Sequence, residues 1–149
     1  MPFRFSLQAV LRCRESFEQR ERQRLQVISR EVVRAQQQRD EAKLDRTNAL
    51  GQFQVKLRQG MNAMEMQFEL ACDRARARRI AALNDHLTKL EDLRRRQLEI
   101  FRKAQQQRKI LENLRDRQLA AYQLIQARRE QQHMDDRFLI THAGQFSQS

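Results

Sequence analysis

Apolar residues recur every three or four positions along most of the chain, and charged or amide side chains fill the positions between them. In the first half this stripe comprises Leu7, Val10, Phe17, Leu25, Ile28, Val32, Ala35, Ala42, Ala49 and Phe53. In the second half it comprises Met64, Phe68, Cys72, Ala75, Ile80, Leu83, Leu87, Leu90, Phe101, Ala104, Leu111, Tyr122 and Ile125. Such spacing predicts helices that pack along a narrow coiled-coil seam.

Polar residues interrupt this seam in both halves. They are Arg14, Glu21, Arg39 and Arg46 in the first half, and Arg94, Gln97, Arg108, Arg115 and Gln118 in the second. A seam interrupted in this way leaves part of its apolar surface open to partners, and it disfavours a long, stable homo-oligomer.

Start and stop signals divide the chain into two helices. Ser6 can cap the first helix, with Phe5 and Val10 as a hydrophobic staple. Gly60 is suited to the end of that helix because it can adopt a positive φ. Asn62 can cap the second helix as the first residue of a capping box whose acidic residue is Glu65, with Met61 and Met66 at the staple positions.

These signals predict an all-α fold, a long antiparallel two-helix coiled-coil hairpin with a C-terminal helical overhang. The expected elements are a first helix at about 7–59, a turn at about 60–62, a second helix at about 63–138 and a frayed tail at 139–149, in a single coiled-coil domain over 1–149. If the chain folds back at about residue 61, Leu7 lies opposite about residue 115, and the helix beyond about residue 120 projects by on the order of 25 Å. A lone polar helix is marginal in water, so this overhang either frays or inserts into a partner.

Composition supports long helices over a compact globule. Charged residues make up 33% of the chain, and there are only three glycines and one proline to form tight turns. Disorder is the competing class for so polar a chain, but disordered chains rarely keep apolar residues at helical spacing.

The formal net charge of +11 keeps an alternative open, a basic helical rod that binds nucleic acid. RARARR (74–79) and RRR (94–96) are the candidate patches. Consecutive residues on a helix point in different directions, however, so a solvated face is the favoured interpretation and no nucleic-acid partner is expected.

The sequence contains no recognisable catalytic or metal-binding set. Cys13 and Cys72 lack metal-ligand spacing and are expected to be reduced thiols of a cytosolic protein. His133 and Asp136 share a helix face without a third ligand, and no phosphate-binding loop occurs. We therefore expect an interaction protein rather than an enzyme, with no catalytic residue, cofactor or metal. No signal peptide and no integral membrane span is expected either.

Both ends of the chain resemble the flagellar export protein family FliJ. The start, PFRFSLQAVLRCRESFE (2–18), is similar to the opening of that family at Phe3, Phe5, Leu7, Leu11, Arg14 and Glu18. Near the other end, LRDRQLAA (114–121) is similar to its L-x-D-R-Q-x-A-A segment, and Arg128, Gln132, Met134 and Asp135 match the residues that follow.

The resemblance implies a stalk-like coiled coil that binds and stimulates the flagellar type III export ATPase, links it to the cytoplasmic domain of the export gate and escorts export chaperones. It implies a cytoplasmic location, peripheral at the cytoplasmic face of the cell membrane. The ATPase-ring end would comprise Phe3, Phe5, Leu7, Leu11, Arg14, Arg117, Gln118, Arg128, Gln132, Met134 and Asp135. Gln38 and Phe68 would contact the gate, although Asp45 and Ala49 stand where the family often has aromatic residues. The stalk of the injectisome and a self-associating structural coiled coil are further alternatives.

Overall fold

The computed structural model of the protein describes residues 2–147 and contains two long helices. Helix α1 is Gln8–Gln59 and helix α2 is Ala63–Phe146. The two helices pack against each other, and the described residues include no strand, so the expected all-α helical hairpin is confirmed. Neither helix holds, within the described residues, an apolar stretch long enough to cross a membrane.

The start of α1 differs slightly from the expected staple. The Gln8 amide donates to the Phe5 carbonyl at 3.1 Å, and the Leu11 amide donates to the Leu7 carbonyl at 2.9 Å. Phe5 is buried as expected, but Val10 is 43% exposed. The interior residue of the first turns is therefore Leu11, which is fully buried.

The turn between the helices follows the sequence signals closely. Gly60 has a φ of 100°, a conformation that only glycine adopts without strain. The Asn62 Oδ1 atom accepts a hydrogen bond from the Glu65 amide at 2.8 Å, which satisfies one of the free amides at the start of α2. The Glu65 carboxylate accepts in return from the Asn62 side-chain amide at 3.4 Å.

Helix α2 continues to Phe146, beyond the end expected near residue 138. No proline interrupts the chain after Pro2, and Gly144 falls in the last turn rather than before it. The Thr141 hydroxyl donates to the Arg137 carbonyl at 2.9 Å, one helical turn earlier. The expected frayed tail is thus helical up to Phe146, and its residues 148–149 lie outside the described part of the chain.

The chain divides into two compact units. Unit 1 comprises Met1–Glu18 and Ala104–Ser149, and unit 2 comprises Gln19–Lys103. Each unit contains an antiparallel pair of segments, one from each helix. The single domain over 1–149 stays a prediction.

The seam of unit 2 alternates apolar and polar contacts. Its core consists of Val32, Ala35, Leu87 and Leu90. Toward the turn, Arg46 forms a bidentate ion pair with Asp73, with nitrogen–oxygen distances of 2.9 and 3.2 Å. This hydrogen bond lowers the pKa of the Asp73 carboxyl below its usual value and raises that of Arg46.

A buried polar pair lies on the other side of that core. The Gln97 side-chain amide donates to the Glu21 carboxylate at 2.5 Å and to the Glu21 carbonyl at 3.2 Å. Arg24 completes the arrangement by donating to the same carboxylate at 2.9 Å. Two polar contacts of this seam, Arg46 with Asp73 and Glu21 with Gln97, are therefore made across the helices, whereas Arg39 pairs with Asp40 of its own helix.

The interior of unit 1 follows a register one residue away from the expected stripe. Leu11 and Glu18 are buried, whereas Val10 and Phe17 are more than one third exposed. Steps of seven back from Val32 reach residues 25, 18 and 11, so Val10 and Phe17 each lie one position, about 100°, off the seam. Glu18 bonds to Arg108, and the hydrogen bonds of Arg108 to Glu112 and to Glu18 raise the pKa of its guanidinium.

Candidate functional site

The last part of α2 is a helix without a packing partner in its own unit. Every described side chain from Ala127 to Gln145 is exposed, and we call residues 127–145 the terminal segment. Tyr122 is the last aromatic residue of the seam face, and steps of seven place Arg129 and Asp136 on that same face. Along this row of the seam the apolar and aromatic residues therefore end before the terminal segment begins, and charged residues continue it.

The N-terminal arm, residues 2–7, packs near the base of the terminal segment. The Phe3 ring lies 5.6 Å from the Tyr122 ring at an angle of 48°, a favourable tilted arrangement. Of the residues expected at the ring-binding end, Phe5 and Leu11 are buried and Phe3 is half-buried. The contact of Phe3 with Tyr122 therefore holds the arm on α2, and the burial of Phe5 and Leu11 anchors the arm and the start of α1 within unit 1.

Leu7 and Arg14 lie nearer the surface of unit 1. Leu7 is 36% exposed. Arg14 is exposed and donates to the Gln107 side chain of α2 at 2.7 Å. Both side chains are accessible to a partner.

The remaining residues expected at this end are all exposed on α2. They are Arg117, Gln118, Arg128, Gln132, Met134 and Asp135. Spacings of 11 and 18 residues equal about three and five full turns, so Arg117, Arg128 and Asp135 share one face of the helix. Met134 lies about 100° from Asp135, so a partner that contacts both must enclose more than one face.

Local contacts support the terminal segment as a helix. The Gln131 side chain donates to Asp135 at 3.1 Å, one turn apart. The Phe138 and His142 rings are 4.0 Å apart, and the His142 Nδ1 atom lies 3.2 Å from the Phe138 carbonyl oxygen. Because the segment also continues directly from the packed part of α2, the cost of starting a new helix does not arise.

The terminal segment offers apolar as well as polar contacts. Met134, Phe138, Leu139 and Ile140 are each more than 60% exposed. Exposed apolar clusters of this kind mark sites of protein association more often than isolated apolar side chains do. His133 and Asp136 line a shallow, open depression with Arg129, but no group of three potential metal ligands occurs among the described residues.

The two residues expected to contact the export gate lie in unit 2, apart from each other. Gln38 is exposed and lines a surface depression with Glu31, Arg34 and His86. Phe68 is 67% exposed and lies near the turn. His86 and Phe68 are both on α2, separated by roughly 27 Å along its axis, so Gln38 and Phe68 belong to different patches.

The family model for flagellar FliJ protein matches residues 3–145. This range includes all of α1 and the whole terminal segment, and it leaves out only Pro2 of the N-terminal arm and Phe146 of α2. The chain belongs to the FliJ family. No match to the chain was found among curated proteins or among solved structures.

Membership of the FliJ family makes this chain a component of flagellar protein export. For a FliJ protein, Phe138, Leu139 and Ile140 are further candidates for partner contact, in addition to the residues expected from the sequence. The sequence alone predicts a frayed tail from residue 139, which separates Leu139 and Ile140 from the helix. The signal available was the absence of Gly and Pro between residues 61 and 143, which favours an uninterrupted helix.

Proposed function

We propose that this FliJ-family protein is a stalk-like coiled coil that binds the flagellar export ATPase and stimulates its hydrolysis of ATP. In the same proposal it links the ATPase to the export gate and escorts export chaperones at the cytoplasmic face of the cell membrane. The observation that carries the proposal is the terminal segment, a helix of 19 residues (127–145) on which every described side chain is exposed.

The chemistry of the terminal segment suits a site inside a ring of repeated subunits. Arg128, Gln132 and Asp135 offer polar contacts that water can bridge, whereas Met134 and Phe138 offer apolar contact on another face. A single helix inside a symmetric ring meets several copies of the same surface, so contacts spread around the helix are useful there.

Unit 1 would supply both the contact and its support. Tyr122 and the N-terminal arm would fix the base of the terminal segment through Phe3 and Phe5, and the buried Leu11 would anchor the start of α1 behind the arm. Leu7, Arg117 and Gln118 would contact the rim of the ring, because they are accessible near that base. Arg14 is also accessible, farther along unit 1 beside Gln107, and would extend this contact.

Unit 2 would carry the contacts with the gate and the chaperones. Gln38 and Phe68 are accessible there, on separate patches. Because neither lies in unit 1, gate binding and stimulation of the ATPase should be separable by mutation.

The test is a comparison of the full-length protein with a variant that lacks residues 127–149. The variant keeps Tyr122 and therefore its contact with Phe3. ATP hydrolysis by the export ATPase from the same cell is measured against increasing amounts of each protein. The full-length protein should raise the rate and saturate well below one stalk per ATPase subunit, as expected for one stalk in a ring.

The truncated variant should lose the stimulation while circular dichroism shows that its remaining helices are intact. Full stimulation by the truncated variant would rule out the terminal segment as the ATPase contact. Gln38→Ala is the matched control, because it changes an exposed amide of unit 2 and should stimulate like the unmodified protein.

A further inference from the structure

One side of the helix pair in unit 2 carries a groove with an apolar floor. The groove has a volume of about 380 Å³ and lies beside Val27 and Ile28 of α1 and Gln97 of α2. Val27 is 52% exposed, and Arg20 and Arg24 line the same groove. A site of this kind combines apolar contact with positive charge.

The groove continues along α2 with further apolar residues. A second depression on the same side brings Glu31 of α1 next to His86 of α2. In an antiparallel pair, a step back along α1 corresponds to a step forward along α2. The seven-residue step from Glu31 back to Arg24 therefore corresponds to the step from His86 to Leu93, and a further seven residues lead to Ile100. Leu93 and Ile100 are 45% and 44% exposed, so both extend the apolar floor.

Exposed cations border this floor on both helices. On α2 they are Lys89, Arg96 and Lys103, which recur every seven residues and are therefore about 10 Å apart along one face. On α1 they are Arg20 and Arg34, also exposed. We call the surface formed by these five cations with Arg24, Val27, Leu93 and Ile100 the basic flank.

The opposite side of the same helix pair has a different character. By the same heptad reasoning it carries Ser29 and Gln36 of α1 and Asn84 and Thr88 of α2, together with charges of both signs from Arg22, Glu91, Arg95 and Arg102. On the side of the basic flank, the exposed apolar residues Leu93 and Ile100 coincide with the cations Lys89, Arg96 and Lys103, which are spaced seven residues apart.

We propose that the basic flank binds an acidic amphipathic helix of a partner protein, which packs along the groove as a third helix. The apolar stripe of such a helix would contact Val27, Leu93 and Ile100, and its Glu or Asp side chains would pair with the flanking Arg and Lys residues. A second copy of this chain is disfavoured because its basic flank carries the same charge. Nucleic acid would use the cations but not the apolar floor.

This proposal concerns a surface of unit 2 and does not depend on stimulation of the ATPase by the terminal segment. The probe is a fluorescein-labelled synthetic peptide of about three heptads, with Leu at the a and d positions and Glu at nearly all others. Its binding to the full-length protein is measured by fluorescence anisotropy at physiological ionic strength. A peptide of the same composition with the leucines rearranged out of helical spacing is the probe control.

Two charge-matched double variants locate the site. Arg20→Glu with Arg96→Glu alters the basic flank, whereas Arg74→Glu with Arg102→Glu makes the same charge change on a face about 120° away from Arg96. We expect the first variant to weaken binding by at least about tenfold and the second by less than about twofold. Circular dichroism establishes that both variants keep their helical content.

A third variant, Val27→Asn with Ile100→Asn, tests the apolar floor and should also weaken binding by about tenfold. Equal weakening by the two charge variants would overturn the proposal, because it would show attraction by net charge alone. Equal binding of the rearranged peptide, or no binding of either peptide, would overturn it as well.

Discussion

Glu21 and Gln97 form a hydrogen-bonded polar pair inside the seam of unit 2, where both side chains are more than nine-tenths buried. Gln97→Leu removes the buried donor and leaves the carboxylate with Arg24 as its remaining bonded side chain. We expect a loss of about 1–3 kcal/mol in the free energy of unfolding, because a buried polar group then lacks a partner. Urea unfolding followed by circular dichroism measures this loss.

The double variant Glu21→Leu with Gln97→Leu tests the same contact by removing both of its polar partners. It replaces the polar pair by apolar side chains, so stability should return to the unmodified level or exceed it by about 1 kcal/mol. If the double variant is less stable than the unmodified protein, the pair contributes net stability and this account of the seam is wrong.

Asp73 gives the stability of the protein a dependence on pH. The hydrogen bond from Arg46 lowers its pKa in the folded state, so folding favours the charged carboxylate. This contribution is fully present above the unfolded-state pKa of about 4 and is lost as the pH falls through the lowered folded-state value. In urea unfolding, Asp73→Asn should therefore be less stable than the unmodified protein at pH 6, and the difference should shrink toward pH 2. A difference that stays constant over this range would contradict the assignment.

The helix ends show how far the sequence determines the elements. Gly60, Asn62 and Glu65 located the turn correctly, because positive φ and a side-chain cap depend on residue type within a few positions. The end of α2 could not be located in the same way, since nothing between residues 138 and 143 forbids or requires a helix. The seam register near Val10 and Phe17 was misread, since a stripe interrupted by polar residues fits two neighbouring registers until the packing of Glu18 and Leu11 decides between them.

The candidate site was less predictable than the fold. A matched motif identifies residues but does not separate the buried Phe5 and Leu11 from the exposed Arg128 and Met134. That separation depends on which face of each helix meets the other. The same limit explains why Gln38 and Phe68, which the resemblance gave the same role, lie on different patches.

Two glycines in different settings provide a matched pair of substitutions. Gly60→Ala should lower the free energy of unfolding by about 1 kcal/mol, because Ala adopts a φ of 100° only with strain. Gly51→Ala should raise it by about 0.5–1 kcal/mol, because Gly51 lies within α1 and its surroundings have room for a methyl group. Thermal unfolding of both variants checks the two signs. The same sign for both would mean that the turn at Gly60 is not as described.

For the whole molecule, the charge of +11 favours binding to nucleic acid, whereas the export role favours binding to proteins, and a DNA-binding experiment separates the two. If partner contacts define the function, binding of the protein to duplex DNA should be weak and should disappear between about 50 and 200 mM salt, as expected for attraction by charge alone. DNA binding that persists at the higher salt would instead favour a nucleic-acid-binding rod. Fluorescence anisotropy of a labelled duplex over a salt series makes this measurement.

The division into two units predicts separable functions across the molecule. Phe68→Ala or Gln38→Ala should weaken binding to the cytoplasmic domain of the export gate protein in a pull-down, and should leave ATPase stimulation unchanged. Deletion of residues 127–149 should abolish ATPase stimulation and leave binding to the gate protein unchanged. Loss of both activities in any one of these variants would indicate a single shared surface.

The contact between Phe3 and Tyr122 also allows the N-terminal arm to be followed by intrinsic tyrosine fluorescence. The chain contains one tyrosine and no tryptophan, so its tyrosine emission comes from a single ring at the base of the terminal segment. Release of the N-terminal arm would expose that ring to water and change its emission lifetime and its quenching by iodide. Docking of the arm can therefore be followed in unlabelled protein, and the weak absorbance at 280 nm means that concentrations need a method other than ultraviolet absorption.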